Sequence, residues 1–224
     1  MSDILGGSVE AALYFHKAGH YIFRQVGERG AVTVKTLDAR TVQKAFAANP
    51  NEDSGWLPPG LIRTGNGLDG IWYVYSRPPA FATINLVAPN GAHYYTIPVP
   101  GLVMLGIERT HLVFAWRGET LDLESELCKA PYPNVHEDGR ICWGQNTPPQ
   151  ASPANAETVP KMFFDSAFNA DLANEKCRRF PQDVRKLLRK IAGQQRFPDE
   201  ELVPVERGVS VRAHFDHLIE AVVK

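Results

Sequence analysis

Cys142 and Asn134 are the residues of this chain whose types and spacing could do chemistry. They lie in the run Pro131-Tyr-Pro-Asn-Val-His-Glu-Asp-Gly-Arg-Ile-Cys-Trp-Gly144. Pro131 and Pro133 fix φ and push the residues before them toward extended conformations. Asp138-Gly139 is a tight-turn signal, because glycine accepts a positive φ without steric cost. The chain therefore folds back and sets a carboxamide beside a thiol, which is the beginning of an acyl-transfer site.

A thiol that accepts an acyl group attacks as the thiolate, and an ordinary cysteine with pKa about 8.5 supplies only a small thiolate fraction at neutral pH. That fraction suffices for a carrier whose incoming acyl group is already activated. Asn134 has two readings. Its NH₂ can donate to the oxyanion that forms when a thioester is attacked, an interaction worth roughly 2.7–4 kcal/mol in other sites, or it can bond backbone in the turn and hold the loop. His136 and Asp138 are near enough in sequence to deprotonate an attacking amine. The competing reading of Cys142 is a buried, inert cysteine. Cys128 reads as packing, Cys177 beside Arg178 and Arg179 as a thiol more easily ionised, and Trp143 as cover for the flank of Cys142.

The stretch resembles the active-site segment of ubiquitin-conjugating enzymes, in which His-Pro-Asn precedes the thioester cysteine at this interval. Tyr132-Pro133-Asn134 stands in place of His-Pro-Asn, and Gly139-Arg140-Ile141-Cys142 matches Gly-x-Ile-Cys. A tyrosine there can brace the segment by one hydrogen bond and a flat packing face. The surrounding chain is similar to a prokaryotic branch of that superfamily, PRTRC system protein B. That likeness rests on Pro98-Val-Pro-Gly-Leu-Val, Ala130-Pro-Tyr-Pro-Asn-Val, Cys142-Trp-Gly and Phe163-Phe-Asp-Ser-Ala-Phe, and covers roughly residues 55 to 170. The branch continues Phe-Thr-His where this chain reads Phe168-Asn169-Ala170.

The resemblance implies an α+β protein with a ubiquitin-conjugating-like core: a four-stranded antiparallel meander, an active-site crossing and C-terminal helices. It implies that Cys142 receives a ubiquitin-like modifier from a ThiF-type activating enzyme and passes it to an acceptor amine. A JAB-type deconjugase would be encoded in the same cassette, often on a plasmid. No cofactor is implied, because the activating enzyme spends the ATP. The alternatives are a catalytically inactive binding module of the same fold, or a structural component of a plasmid-borne complex.

The elements that must position these residues are legible in part. Ala11–Val26 and Ala31–Thr36 read as a β pair around Gly27-Glu-Arg-Gly. Asp38 reads as the N-cap of a helix to about Ala48, with Val42, Ala45 and Phe46 on one face. The polar run Asn49-Pro-Asn-Glu-Asp-Ser-Gly stops it and marks a boundary between a small N-terminal α+β extension, 1–54, and the conjugating-enzyme-like domain, 55–224. Strands are expected at Ile71–Ser76, Ala80–Val87, Ala92–Pro98 and His111–Arg117, with a hairpin at Pro89-Asn90-Gly91. Residues 118–130 read as mostly irregular, and 145–155 as either a flap over Cys142 or a surface connection. A short helix falls within Val159–Ala170, with Phe163, Phe164 and Phe168 as core. A helix over 182–191 buries Val184, Leu187, Leu188 and Ile191 and turns Arg185, Lys186, Arg189 and Lys190 outward; this basic face is solvated or docks an acidic partner. Ser210 caps a last helix that buries Val211, Phe215, Leu218, Ile219 and Val222.

Composition narrows the classes. With 24 basic and 25 acidic residues the net charge is −1, so no global field favours direct nucleic-acid binding. The longest apolar runs, such as Gly101–Ile107, fall far short of the ~20 residues a membrane span needs. No basic start precedes an apolar core at the N-terminus, so no secretory signal is expected. Three cysteines without a C-x-x-C pair fit neither a disulfide framework nor a cysteine zinc site. The expected setting is a reducing cytoplasm. The pairs His214/His217 and His16/His20 have no carboxylate or cysteine pattern to make them metal sites.

Overall fold

The computed structural model describes residues 10–17, 19–27, 30–46, 56–67 and 70–223. The chain divides at Gly55/Trp56 into two compact units.

In the first unit β1 (Ala11–Phe15), β2 (Tyr21–Val26) and β3 (Val32–Leu37) form an antiparallel sheet in that order. The single strand expected over Ala11–Val26 is thus two. Gly19, with φ +81°, lets the chain reverse, and the His16 N–H donates to the His20 carbonyl across the turn at 2.9 Å. Helix α1 (Ala39–Phe46) is capped as expected, with Asp38 accepting the Thr41 N–H at 2.8 Å. That bond and a second from the Thr41 hydroxyl hold the Asp38 carboxyl below its ordinary pKa. Val42 is buried but Ala45 is exposed, so the expected apolar face is narrower. The side chains of Phe46 and Val222, the helix end at Ala48, Glu28-Arg29 and the run 49–55 lie outside the described residues.

The second unit is organised by one long antiparallel ribbon. Its first arm is β5 (Gly70–Arg77) followed by β6 (Ala80–Ala88); its second is β7 (Gly91–Val99) followed by β8 (Gly101–Ile107). Arg77 faces Leu102 and Ala80 faces Val99, three residues on in one arm and three back in the other, so a single register runs the whole length. Pro78, Pro79 and Pro100 sit at the interruption. Proline donates no ladder bond, so the ribbon turns a corner there and its halves join different sheets. The proximal half enters a five-stranded sheet, in which β4 (Leu61–Gly67) lies beside β5, and β9 (Thr110–Trp116) and β10 (Cys128–Lys129) follow β8. The distal half, β6 and β7, pairs in parallel with β11 (Ala167–Phe168).

The four strands expected from the sequence therefore do not form one sheet of consecutive neighbours. Strands over 61–67 and 101–107 were not expected, while the 71–76 and 80–87 segments are two halves of one bent arm. Gly101–Ile107 shows why. Leu102 and Met104 enter a core with Ile84, Ile97, Phe163, Leu187 and Leu188, while Val103 and Leu105 enter another with Phe114, Val211, Phe215 and Ile219. A strand covered on both faces has no polar alternation to reveal it.

Helices α2 (Thr158–Asp165) and α3 (Arg185–Lys190) cover the first face, and α4 (Val211–Val223) the second. Helix α3 is shorter than the expected 182–191, but Val184, Leu187, Leu188 and Ile191 are buried and Lys186, Arg189 and Lys190 exposed, as the period required; Arg185, expected outward with them, is instead half-buried and paired with Asp183 at 2.9 Å. The Ala213 N–H reaches the Ser210 hydroxyl at 3.2 Å, so the cap of α4 is present. The 145–155 segment is fastened down as a surface connection. Arg109 donates to the Pro148 carbonyl at 3.0 Å, the Ala151 N–H to that of Glu108, and Ala151 packs with Tyr73 and Tyr75.

Candidate active site

Strand β9 carries the site. Along one edge it takes β10, at Phe114 and Ala115, and beyond that the segment 135–141. The Ile141 N–H donates to the His111 carbonyl and the Val113 N–H to the Gly139 carbonyl, both at 2.9 Å. The segment is itself a small hairpin. Val135 pairs with Ile141, the His136 N–H donates to the Arg140 carbonyl at 2.8 Å, and the Gly139 N–H to the His136 carbonyl at 3.1 Å. Gly139 is required twice: its φ is +89°, and a Cβ there would lie 2.3 Å from the Phe114 ring.

The hairpin brings together the two residues the sequence singled out. The Cys142 N–H donates to the Asn134 carbonyl at 2.7 Å, closing the ladder at the open end. Asn134 is in the left-handed region at φ +59°. Its N–H goes to the Asp171 carbonyl at 3.1 Å and its side-chain amide to the Ala167 carbonyl at 2.8 Å. In this geometry Asn134 ties the hairpin to β11, which is the loop-holding role of its two readings.

Of the three cysteines Cys142 alone is exposed; Cys128 and Cys177 are buried. Burial pushes the Cys128 thiol up to about 11 and raises that of Cys177 as well. The expectation for Cys177 is thereby corrected. Arg178 donates to the Leu202 carbonyl and Arg179 pairs with buried Glu201, so desolvation outweighs them.

The other expected site residues are placed as follows. Asp138 accepts the Arg140 N–H at 3.1 Å and its guanidinium at 2.6 Å, so it is engaged within the turn. His136 is half-buried beside it. Tyr132 is fully buried, and its hydroxyl has no hydrogen-bond partner among the described residues. It braces by packing alone: edge-on to Phe163 and Phe164 at 5.7 and 5.3 Å, and stacked on Phe168 at 6.1 Å. Burial raises its phenol above the ordinary range, so it stays protonated.

The family model described as prokaryotic E2 family D matches residues 38–205, well over half of the chain and all of the hairpin. The chain belongs to prokaryotic E2 family D. No curated protein and no solved structure matches it. Membership ties this protein to ubiquitin-like conjugation, and to a system with an activating enzyme in general. The match leaves α4 outside its bounds, although α4 supplies Val211, Phe215 and Ile219 to the core behind β9. No described helix is long and apolar enough to cross a membrane, and no described cluster of His, Cys, Asp and Glu could hold a metal ion.

Two residues near the hairpin of this E2-family protein escaped the sequence reading. His111 is buried, edge-on to Trp143 with ring centroids 5.9 Å apart, and burial pushes its pKa down to about 4, so it is neutral across the physiological range. Trp143 packs inward toward the main core rather than standing free over the thiol. Lys176 is buried, and its ammonium donates to the His136 carbonyl at 3.2 Å. In the sequence it lies in a run of basic residues and carries the signal of a solvated surface.

Proposed function

We propose that this protein carries a ubiquitin-like modifier as a thioester on Cys142. The Cys142 thiolate attacks the activated C-terminal carbonyl of the modifier, forming a C–S bond and expelling the activating enzyme's thiolate. An acceptor amine then attacks the thioester carbonyl, the C–S bond breaks, and the thiolate returns to Cys142 as the new amide nitrogen loses a proton. The chain's part is to present the thiol and hold its surroundings still. Asn134 fixes both ends of the hairpin through its carbonyl and its amide, and the aromatic cage around Tyr132 takes over the bracing for which relatives of this type use histidine. With Asp138 engaged by Arg140, His136 is the stronger of the two candidates for taking the amine's proton. The partners that fit are the modifier, a ThiF-type activating enzyme and a JAB-type deconjugase of one cassette.

The observation that carries this reading is that the one exposed cysteine is the one whose backbone is bonded to Asn134. The test is a charging reaction with the cognate activating enzyme, modifier and ATP, resolved on non-reducing gels. The expected product is an adduct that reductant removes, that Cys142→Ala abolishes and that Cys128→Ala and Cys177→Ala preserve. Cys142→Ser should trap a reductant-stable ester. An activating enzyme that is itself charged yet leaves this protein unmodified would refute the carrier reading and favour an inactive binding module.

A further inference from the structure

The His136 carbonyl is the pivot of the hairpin turn, since it also accepts the Gly139 N–H. It receives its second bond from the segment 171–176, which touches the hairpin twice. The Asp171 carbonyl takes the Asn134 N–H at the base, and the Lys176 ammonium reaches His136 at the turn. Backbone strain gathers on these two segments. Of the four described non-glycine residues at positive φ, Asn134, Leu172 and Glu175 lie there, at +59°, +55° and +56°. Such conformations persist only where surrounding contacts over-determine them. A buried ammonium is likewise costly unless something compensates it. Lys176 is only 4% exposed, yet a cavity of about 180 Å³ opens beside it.

We propose that Lys176 is a positioning residue, gripping the pivot carbonyl of the turn from the 171–176 segment and so setting where the hairpin holds Cys142. Its relevance to chemistry rests on Cys142 being the reacting thiol; the grip itself does not. The charged groups that face it are Lys129 of β10, Glu137 and Asp138 of the turn, and Glu175 of its own segment. Burial first, then Lys129, pushes its pKa down to about 8 against the pull of the three carboxylates. The ammonium is therefore charged at neutral pH, where it holds the His136 carbonyl.

The experiment is amide hydrogen exchange on the full chain at residues 136, 139 and 142, corrected for intrinsic rates. At neutral pH, Lys176→Met should lower protection of these amides roughly tenfold relative to the wild type, the lower range of what a charge-assisted hydrogen bond contributes. Lys176→Arg, also cationic, should keep protection at the wild-type level. Iodoacetamide alkylation of Cys142 at one fixed neutral pH should change about threefold or more in Lys176→Met, a modest fraction of that bond's worth. Wild-type protection in Lys176→Met overturns the proposal. If the methionine variant does not fold, Lys176→Ala decides in its place, wild-type protection there overturning the proposal. A hairpin that responds to Lys176 in a protein that is never charged keeps the grip and removes the carrier reading; a charged protein with an unresponsive hairpin does the reverse.

Discussion

Replacing Gly139 by alanine probes the turn that presents Cys142. Two costs add. The residue sits at φ +89°, where an L side chain is strained by roughly 1–2 kcal/mol. The new Cβ would also lie 2.3 and 2.6 Å from two carbons of the Phe114 ring, which is 1% exposed and packed edge-on to His214 and Phe215. A ring so enclosed cannot swing away, and overpacking of this kind costs about 1–3 kcal/mol. Gly139→Ala should therefore destabilise the second unit by roughly 2–5 kcal/mol, about 4–20 °C in Tm at the 2–4 °C per kcal/mol of a domain of this size. Gly118→Ala is the matched control: φ is +92°, but no atom lies within 4 Å of its Cβ position, so only the first cost applies. Urea denaturation of both variants separates the terms, the difference in midpoint free energy being the ring overlap. Equal losses in the two variants, or a loss under about 0.5 kcal/mol for Gly139→Ala, the range of ordinary surface changes, would refute the reasoning.

Native alkylation followed by mass mapping should label Cys142 alone, with Cys128 and Cys177 reacting only in denaturant; equal labelling of all three would contradict the burial pattern. His111, with its folded pKa pushed from 6.5 to about 4, leaves the unfolded chain with more bound protons between those values. Stability should accordingly fall by about 3 kcal/mol from pH 6.5 to 4, and His111→Phe should flatten that slope in pH-dependent urea melts. Lys176, lowered from 10.5 to about 8, carries a penalty that is fully present below pH 8 and relieved as pH rises toward 10.5. Lys176→Met should thus be neutral or stabilising by about 1–3 kcal/mol at pH 7, and a large loss of stability would contradict the cost assigned to that buried charge.

The hairpin was the most legible part of the chain, because its signals are local. Prolines at 131 and 133, Asp138-Gly139 and the Asn134 to Cys142 interval specify a turn and what it brings together without reference to anything distant. Helices α3 and α4 were legible for the same reason, their apolar faces following a helical period. What escaped depended on neighbours. Gly101–Ile107 hid because it is buried on both sides, and Leu61–Gly67 because its glycines suit a packing need. A Cβ at Gly65 would lie 2.5 Å from the Trp72 indole, so a strand carries a residue that argues against strand. Tyr132 could be read as bracing but not as unbonded, since its aromatic cage comes from residues thirty and more positions later. Cys177 was misread and Lys176 passed over, because neighbouring basic residues look solvated until the fold shows which side chains it has buried.

The unbroken register through the ribbon corner limits how its length can change through descent. Arg77 opposite Leu102 and Ala80 opposite Val99 lock the two arms across the prolines. One residue inserted at the corner of the first arm would turn its distal side chains inside out, exposing Ile84 and Leu86 and burying Thr83. Such an event survives only with further insertions that restore both the pairing and the face, which single mutational steps rarely supply. The tip at Pro89 and Asn90 carries no such constraint, because residues added there in pairs extend both arms together. Among relatives, gaps should therefore collect at the tip in even numbers and be scarce at the corner.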